Sequence, residues 1–354
     1  MSGSLILRPV ALALVAAALF GAATPASKVL LGDLSTFQLA GLLYLGAAVG
    51  VLPVASRGGG LRSPLRLDAA DRGRLLGAVV AGGIGGPLLL LLGLRAAAAA
   101  SVSLWLNFEV VATAVLGAFL FREPLGRAGW LGVVFTFAGA AALSLFDGGG
   151  ATSGPLSALF VLLACVCWGL DNHWTALLAG IPPAQTAFWK GLAAGTVNFV
   201  LGTLVAGSAP GPRAAGIALV LGAAAYGASS VLYVSAARSL GATRAQVVFS
   251  TSPLFGVLLS VLLLGEVLTA GHAIGAAFLF LGVFVITRGG HAHAHIHAAL
   301  RHEHTHRHDD GHHDHVHPGL PAAVQHSHPH RHEEVAHVHP PLPDSHHRHG
   351  HDPH

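Results

Sequence analysis

Leu120-Phe121-Arg122-Glu123-Pro124-Leu125, followed by Gly132 and Gly139, recurs as Leu263-Leu264-Gly265-Glu266-Val267-Leu268, followed by Gly275 and Gly282. The offset is 143 residues throughout, and Arg95 maps onto Arg238 at the same distance. Each copy closes one apolar run and opens the next, so the chain reads as a duplication of a multi-run unit. The reading of these two stretches decides the fold.

Working outward, apolar runs long enough to cross about 30 Å of hydrocarbon, which takes about 20 helical residues, fall at 9–31, 36–56, 74–94, 97–120, 128–146, 155–179, 184–206, 214–236, 243–264 and 270–288. That is five per copy. An odd number of spans per copy places the second copy upside down in the bilayer, and inverted repeats mark secondary transporters with a site near the midplane. The expected architecture is an all-α membrane protein of ten transmembrane helices: a first repeat at 1–147, a second at 148–290 and a C-terminal tail at 291–354. The first run resembles a signal peptide in its Arg8 and its small residues at 22–27, but its length and its partial repetition in the second half favour a retained span.

Composition agrees. Of 354 residues, 53% are hydrophobic and 10% charged, against about 25% charged in soluble domains. Residues 1–290 hold 15 Lys/Arg and 8 Asp/Glu, a net +7; residues 291–354 hold 4 and 8, a net −4. Gly and Ala are plentiful between Leu and Val, as packed membrane helices require. Two cysteines two residues apart, Cys165 and Cys167, exclude a disulfide framework. Singly placed arginines exclude a nucleic-acid face. The glycine triplets at 58–60 and 148–150 lack the Lys-Ser/Thr ending of a phosphate loop, so the chain carries no ATPase and is not read as an enzyme. Eleven Lys/Arg fall on one side of the ten spans, which places both termini in the cytoplasm of a bacterial inner membrane.

The chain resembles the drug/metabolite transporter superfamily, in its EamA-type ten-span branch. The resemblance covers about 9–288 and rests on Phe20-Gly21, Trp168-Gly169 and the endings at Glu123 and Glu266. Leu104-Trp105-Leu106-Asn107-Phe108-Glu109 and Trp168-Gly169-Leu170-Asp171-Asn172 resemble a sub-branch that often ends in a His-rich tail, with His173-Trp174 as a departure. The resemblance implies transport of small metabolites and fixes no substrate.

Ionisable residues inside spans are costly, about 2.5–3.5 kcal/mol each on insertion scales, and mark functional sites by default. Asn107, Glu109, Asp171, Asn172, His173 and Lys190 are the expected substrate pathway. Glu109 is read as a proton-linked or substrate carboxylate, or alternatively as a packing group tied to Asn107. Asp171 and Lys190 approach one short turn from the same side and are placed to pair, as a structural tie or a substrate clamp. His173 is a hydrogen-bonded packing residue or a proton relay. Gly85, Gly86 and Pro87, with Pro253, are the expected hinge, because proline removes a helical hydrogen bond.

The tail carries 23 of the 25 histidines, mostly as His-x-His. In an extended chain residues two apart share a face, and imidazole suits Zn, Cu, Ni and related ions, so a divalent transition metal such as Zn, Ni or Co is the expected tail ligand. The expected ligands are His291, His293, His295, His297, His302, His304, His306, His308, His312, His313, His315, His317, His326, His328, His330 and His332. Prolines and few large apolar residues give the tail no expected fold. No cofactor is required. The expected partners are a small-molecule or ion substrate and the lipid bilayer, without nucleic acid; a homodimer stays open. Two alternatives stand beside metabolite transport: a transition-metal transporter fed or regulated by the tail, and a membrane-anchored metal buffer or sensor.

Overall fold

The computed structural model describes residues 3–57, 60–120, 127–146, 155–178, 180–240, 248–288, 293–297, 300–306, 326–332 and 335–339. Long helices account for the apolar runs, and short interruptions divide several of them. The first run is α1 (Gly3–Gly21) and α2 (Ala23–Leu30), the second α3 (Thr36–Ala55). The third is α4 (Ala69–Ala78), a π-helical segment (Val79–Gly85) and α5 (Gly86–Arg95); the fourth is α6 (Ala99–Trp105) and α7 (Phe108–Leu120). Then come α8 (Arg127–Phe146), α9 (Pro155–Ala176) and α10 (Pro183–Ala206). The eighth run is α11 (Pro212–Gly222), a second π segment (Ala223–Ala228) and α12 (Ser229–Leu240), and α13 (Ser252–Leu264) and α14 (Ala270–Arg288) follow. Among the described residues seven helical stretches are long and apolar enough to cross a membrane, and three shorter apolar helices occupy the other expected runs.

Helix ends follow local chemistry. Ser35 and Gln38 form a reciprocal capping box at the start of α3, with Gln38 N donating to Ser35 Oγ at 3.2 Å and Ser35 N to Gln38 Oε1 at 3.1 Å. Pro182-Pro183 opens α10, and Gly207 ends it in the left-handed conformation (φ 67°) that glycine adopts without strain. The helices meet through small residues. α3 lies along α10, where a Cβ on Gly191 would sit 2.9 Å from Tyr44 O. α8 lies along α14, where a Cβ on Gly139 would sit 2.9 Å from Gly275 O. In both pairs close backbone approach supplies the contact, since lipid provides no hydrophobic drive. Spans two and seven, and five and ten, are repeat equivalents.

The interruptions repeat as well. The two π segments end at Gly85 and Ala228, 143 residues apart. The break between α6 and α7, at Leu106-Asn107, has its counterpart in the turn at Ser250-Thr251 before α13. Pro253, expected as a hinge residue, sits in the first turn of a helix just after that turn, where its missing N–H costs nothing. Pro87 likewise opens α5, directly after the π segment, with Gly85 ending that segment and Gly86 starting α5.

One turn is gripped by two charges. Lys28 Nζ donates to the carbonyls of Leu94 (2.5 Å), Ala97 (2.8 Å) and Arg95 (3.2 Å), closing the C-terminus of α5. The Glu266 carboxylate accepts from Ala99 N (2.7 Å) and Ala100 N (2.8 Å), capping the N-terminus of α6. Its repeat counterpart Glu123 lies outside the described residues.

The tail residues form a unit of their own, about 290–342. At the residues described there, β1 (His293–His297) pairs antiparallel with β4 (Val335–His339), and β2 (Leu300–His306) with β3 (His326–His332). The period-two His-x-His pattern that suggested paired ligands also suits a strand. The register sets His302 opposite His330, His304 opposite His328 and His306 opposite His326. His291, His308, His312, His313, His315 and His317 lie outside the described residues.

Candidate functional site

The π segment sets the site. Pro87 has no N–H to return to Gly82 O, its π-type partner, or to Gly83 O, its α-type partner. Both carbonyls turn instead to side chains from other helices. Gly82 O accepts from Tyr44 Oη at 2.6 Å and from Trp168 Nε1 at 3.1 Å, and Gly83 O accepts from Asn198 Nδ2 at 3.2 Å. Spans two, six and seven thus converge on the unwound stretch of span three.

Asp171 lies against the same stretch. It is buried, and a Cβ on Gly82 would collide with its carboxylate. Lys190 Nζ donates to Asp171 Oδ2 at 2.6 Å, and Thr175 Oγ1 to Oδ1 at 3.0 Å. The pairing across the 182–183 turn forms as the spacing suggested. Buried at Asp171 and half-buried at Lys190, the pair depends on its geometry and its extra hydrogen bonds.

Glu109 occupies the first turn of α7, just past the α6–α7 break, where the helix dipole favours a negative charge. Its Oε1 accepts from Asn172 Nδ2 at 3.0 Å, and the same amide reaches Thr113 Oγ1 at 3.3 Å. His173 Nε2 meets Thr113 O at 2.9 Å, which makes that nitrogen the donor. Glu109 is within electrostatic reach of Asp171 and Lys190, and of Tyr44 and Tyr226. Five of the six expected pathway residues therefore gather in one place. The sixth does not join through its side chain: Asn107 turns back to Leu104 O at 3.1 Å, securing the end of α6 rather than holding Glu109.

A run of rings borders the cluster. Phe249 lies 5.4 Å from Phe20, Phe20 5.8 Å from Tyr226 and Tyr226 6.0 Å from Tyr44, centroid to centroid. Tyr44, Tyr226 and Asn198 were missed as site residues. One signal was available, because the chain has only three tyrosines and all three adjoin this series, Tyr233 lying 5.0 Å from Phe249. His272 is buried in the first turn of α14, with Nε2 3.2 Å from Ser101 Oγ and Nδ1 2.8 Å from Thr269 Oγ1. Among the described residues no three His, Cys, Asp or Glu side chains are grouped to hold a metal ion.

The chain matches the model of the EamA-like transporter family twice, at 7–145 and 155–288. It is 28% identical over 214 residues to an uncharacterized transporter of Methanothermobacter thermautotrophicus, covering 56% of this chain. The chain spans 60% of the length of that curated relative. A crystal structure at 20% identity shares the fold with a TM-score of 0.57, over 81% of this chain and 98% of the other. With two family matches that together take in most of the sequence and fall on its two repeats, this multi-pass membrane chain belongs to the EamA-like transporter family.

Proposed function

We propose that the protein is a secondary transporter that moves a small polar solute across a bacterial inner membrane. Ten spans form two inverted five-helix halves with both termini cytoplasmic, and the halves alternate the exposure of one site. The observation that carries this reading is the convergence of both repeats on the π segment. Tyr44, Gly82 and Glu109 come from the first, and Trp168, Asp171, Asn172 and Lys190 from the second. Charges shared between repeats, beside a helix whose ladder is already open, are what a site that must change its exposure requires. Glu109 is the substrate or proton carboxylate, and Asn172 and Lys190 orient the solute. His173 holds α9 to α7 through the Thr113 carbonyl. Gly85, Gly86 and Pro87 form the hinge.

The tail acts as a metal-loaded accessory. Its 23 histidines, mostly His-x-His, suit Zn, Ni or Co. The test is uptake into proteoliposomes from a panel of amino acids, amines and divalent metals, with and without 291–354. Saturable uptake of an organic solute that survives tail removal supports the reading. Uptake of metals alone, lost with the tail, contradicts it.

A further inference from the structure

We propose that the tail takes a divalent transition ion on a ladder of cross-strand histidine pairs, His302–His330, His304–His328 and His306–His326, and that the ion bridges β2 to β3. This rests on the metal-loaded reading of the tail given above and adds to it the site and the way it is assembled.

The register comes first. β2 and β3 run antiparallel, and every histidine of β2 stands directly opposite a histidine of β3. Residues two apart share a face of a strand, and directly opposite residues share a face of the ribbon, so six histidines occupy one face. The other face carries Arg301, Glu303 and Thr305 across from Arg331, Pro329 and Ser327. β1 and β4 keep the same register. Nine residues before His302 is His293, nine after His330 is His339, and these two are paired, as are His295 and His337. His337 and His339 lie outside the ligand set expected from the His-x-His spacing, and only the strand pairing brings them in.

The ladder suits an ion in number and in chemistry. Opposite residues have Cβ atoms about 4.5–5.5 Å apart, and two neighbouring rungs offer four imidazoles, the number a tetrahedral ion takes. Nitrogen donors of this kind select Zn, Ni or Co over Mg or Ca, which prefer oxygen. Among the described residues no ready-made trio of His, Cys, Asp or Glu side chains is grouped for an ion, so the ladder is a site that closes on the ion as it binds.

The ribbon in turn needs a tie. Two strands alone are marginal in water, and strands polar on both faces specify their register weakly. Pro329 has no N–H to give the pairing, and residues 307–325 between the strands add a closure cost. Histidine meeting histidine is what distinguishes this register. An ion ligated across it couples its binding energy to the folding of the ribbon.

The test is continuous-wave nitroxide spectroscopy of the purified full chain in detergent, titrated with Zn²⁺. Labels at Thr305→Cys and Ser327→Cys mark an opposite pair on the face away from the histidines, and the chain with either label alone supplies the background. The expected result is dipolar broadening that appears with Zn²⁺, saturates, is reversed by EDTA and is absent with Mg²⁺. Removing the middle rung, His304→Ala with His328→Ala, should weaken the Zn²⁺ response at least tenfold. Removing as many imidazoles outside the strands, His346→Ala with His347→Ala, should leave it unchanged. Broadening as strong in EDTA as in Zn²⁺ overturns the inference, and so does an equal loss in the two double variants. If equilibrium dialysis shows Zn²⁺ bound without bringing the labels together, the ladder falls and the metal-loaded tail stands. If no Zn²⁺ is bound, both fall.

Discussion

Lys28 and Glu266 hold the same interhelical turn from its two backbone ends. Lys28 gathers the last carbonyls of α5, and Glu266 takes the first amides of α6. Each charge complements the helix terminus it faces. Lys28 belongs to the first repeat and Glu266 to the second, so this turn ties the two halves together. Hydrogen bonds to charged groups contribute about 1.5–3 kcal/mol. Glu266→Ala is expected to destabilise the protein by about that amount, and Lys28→Met by a similar amount, read as monodisperse protein surviving a heat ramp in detergent. A Glu266→Ala protein as heat-resistant as the parent would show that the grip contributes nothing.

Asp171 is buried and Lys190 half-buried, so removing Lys190 strands the buried carboxylate, at a cost approaching that of breaking a fully buried pair, about 3–5 kcal/mol, and removing Asp171 costs less. Lys190→Met should reduce folded yield sharply, and Asp171→Asn by less. The double variant should recover much of that yield but not transport. Equal yields for all three, measured by size-exclusion chromatography, would mean that the pair is not coupled in the membrane.

Gly82→Ala reverses the usual sign of such a change. In an ordinary helix alanine is favoured over glycine by about 1 kcal/mol. Here the added Cβ would collide with the Asp171 carboxylate. The variant should be less stable than the parent and inactive, whereas Gly216→Ala, whose Cβ would meet nothing within 4 Å, should be neutral or stabilising.

Pro87→Ala restores an N–H able to reclaim Gly82 O or Gly83 O, competing with Tyr44, Trp168 and Asn198. One regained backbone hydrogen bond is worth about 1 kcal/mol. The variant should gain stability of that order and lose transport rate, because the π segment relaxes toward an α-helix. A more stable variant with parental flux would remove the hinge from the mechanism.

Much of this was legible in the residues because lipid is a strict solvent. A run such as 36–56 has few alternatives to a span, and Glu109 or Lys190 stands out within one as a charge out of place. The 143-residue offset also relates the two π segments, but in the sequence only the stretch before Pro87 stands out. What stayed hidden depended on geometry between spans. Tyr44, Trp168 and Asn198 look like ordinary occupants of apolar helices until Pro87 frees the carbonyls they bind. Asn107, two residues from Glu109, seemed its natural partner, yet a helix break between α6 and α7 draws its amide to Leu104 O and leaves Glu109 to Asn172 from another span. Lys28 lies near the end of a span, and nothing local reveals that its ammonium reaches three carbonyls about seventy residues away.

The central claim is that Glu109, where the two repeats meet, carries the transported solute or its coupled proton. Solute counterflow in proteoliposomes, comparing the parent with Glu109→Gln at matched folded amounts, tests it most directly. The account predicts saturable counterflow in the parent and a loss of at least tenfold in the variant. A folded Glu109→Gln protein exchanging solute at the parental rate would contradict it.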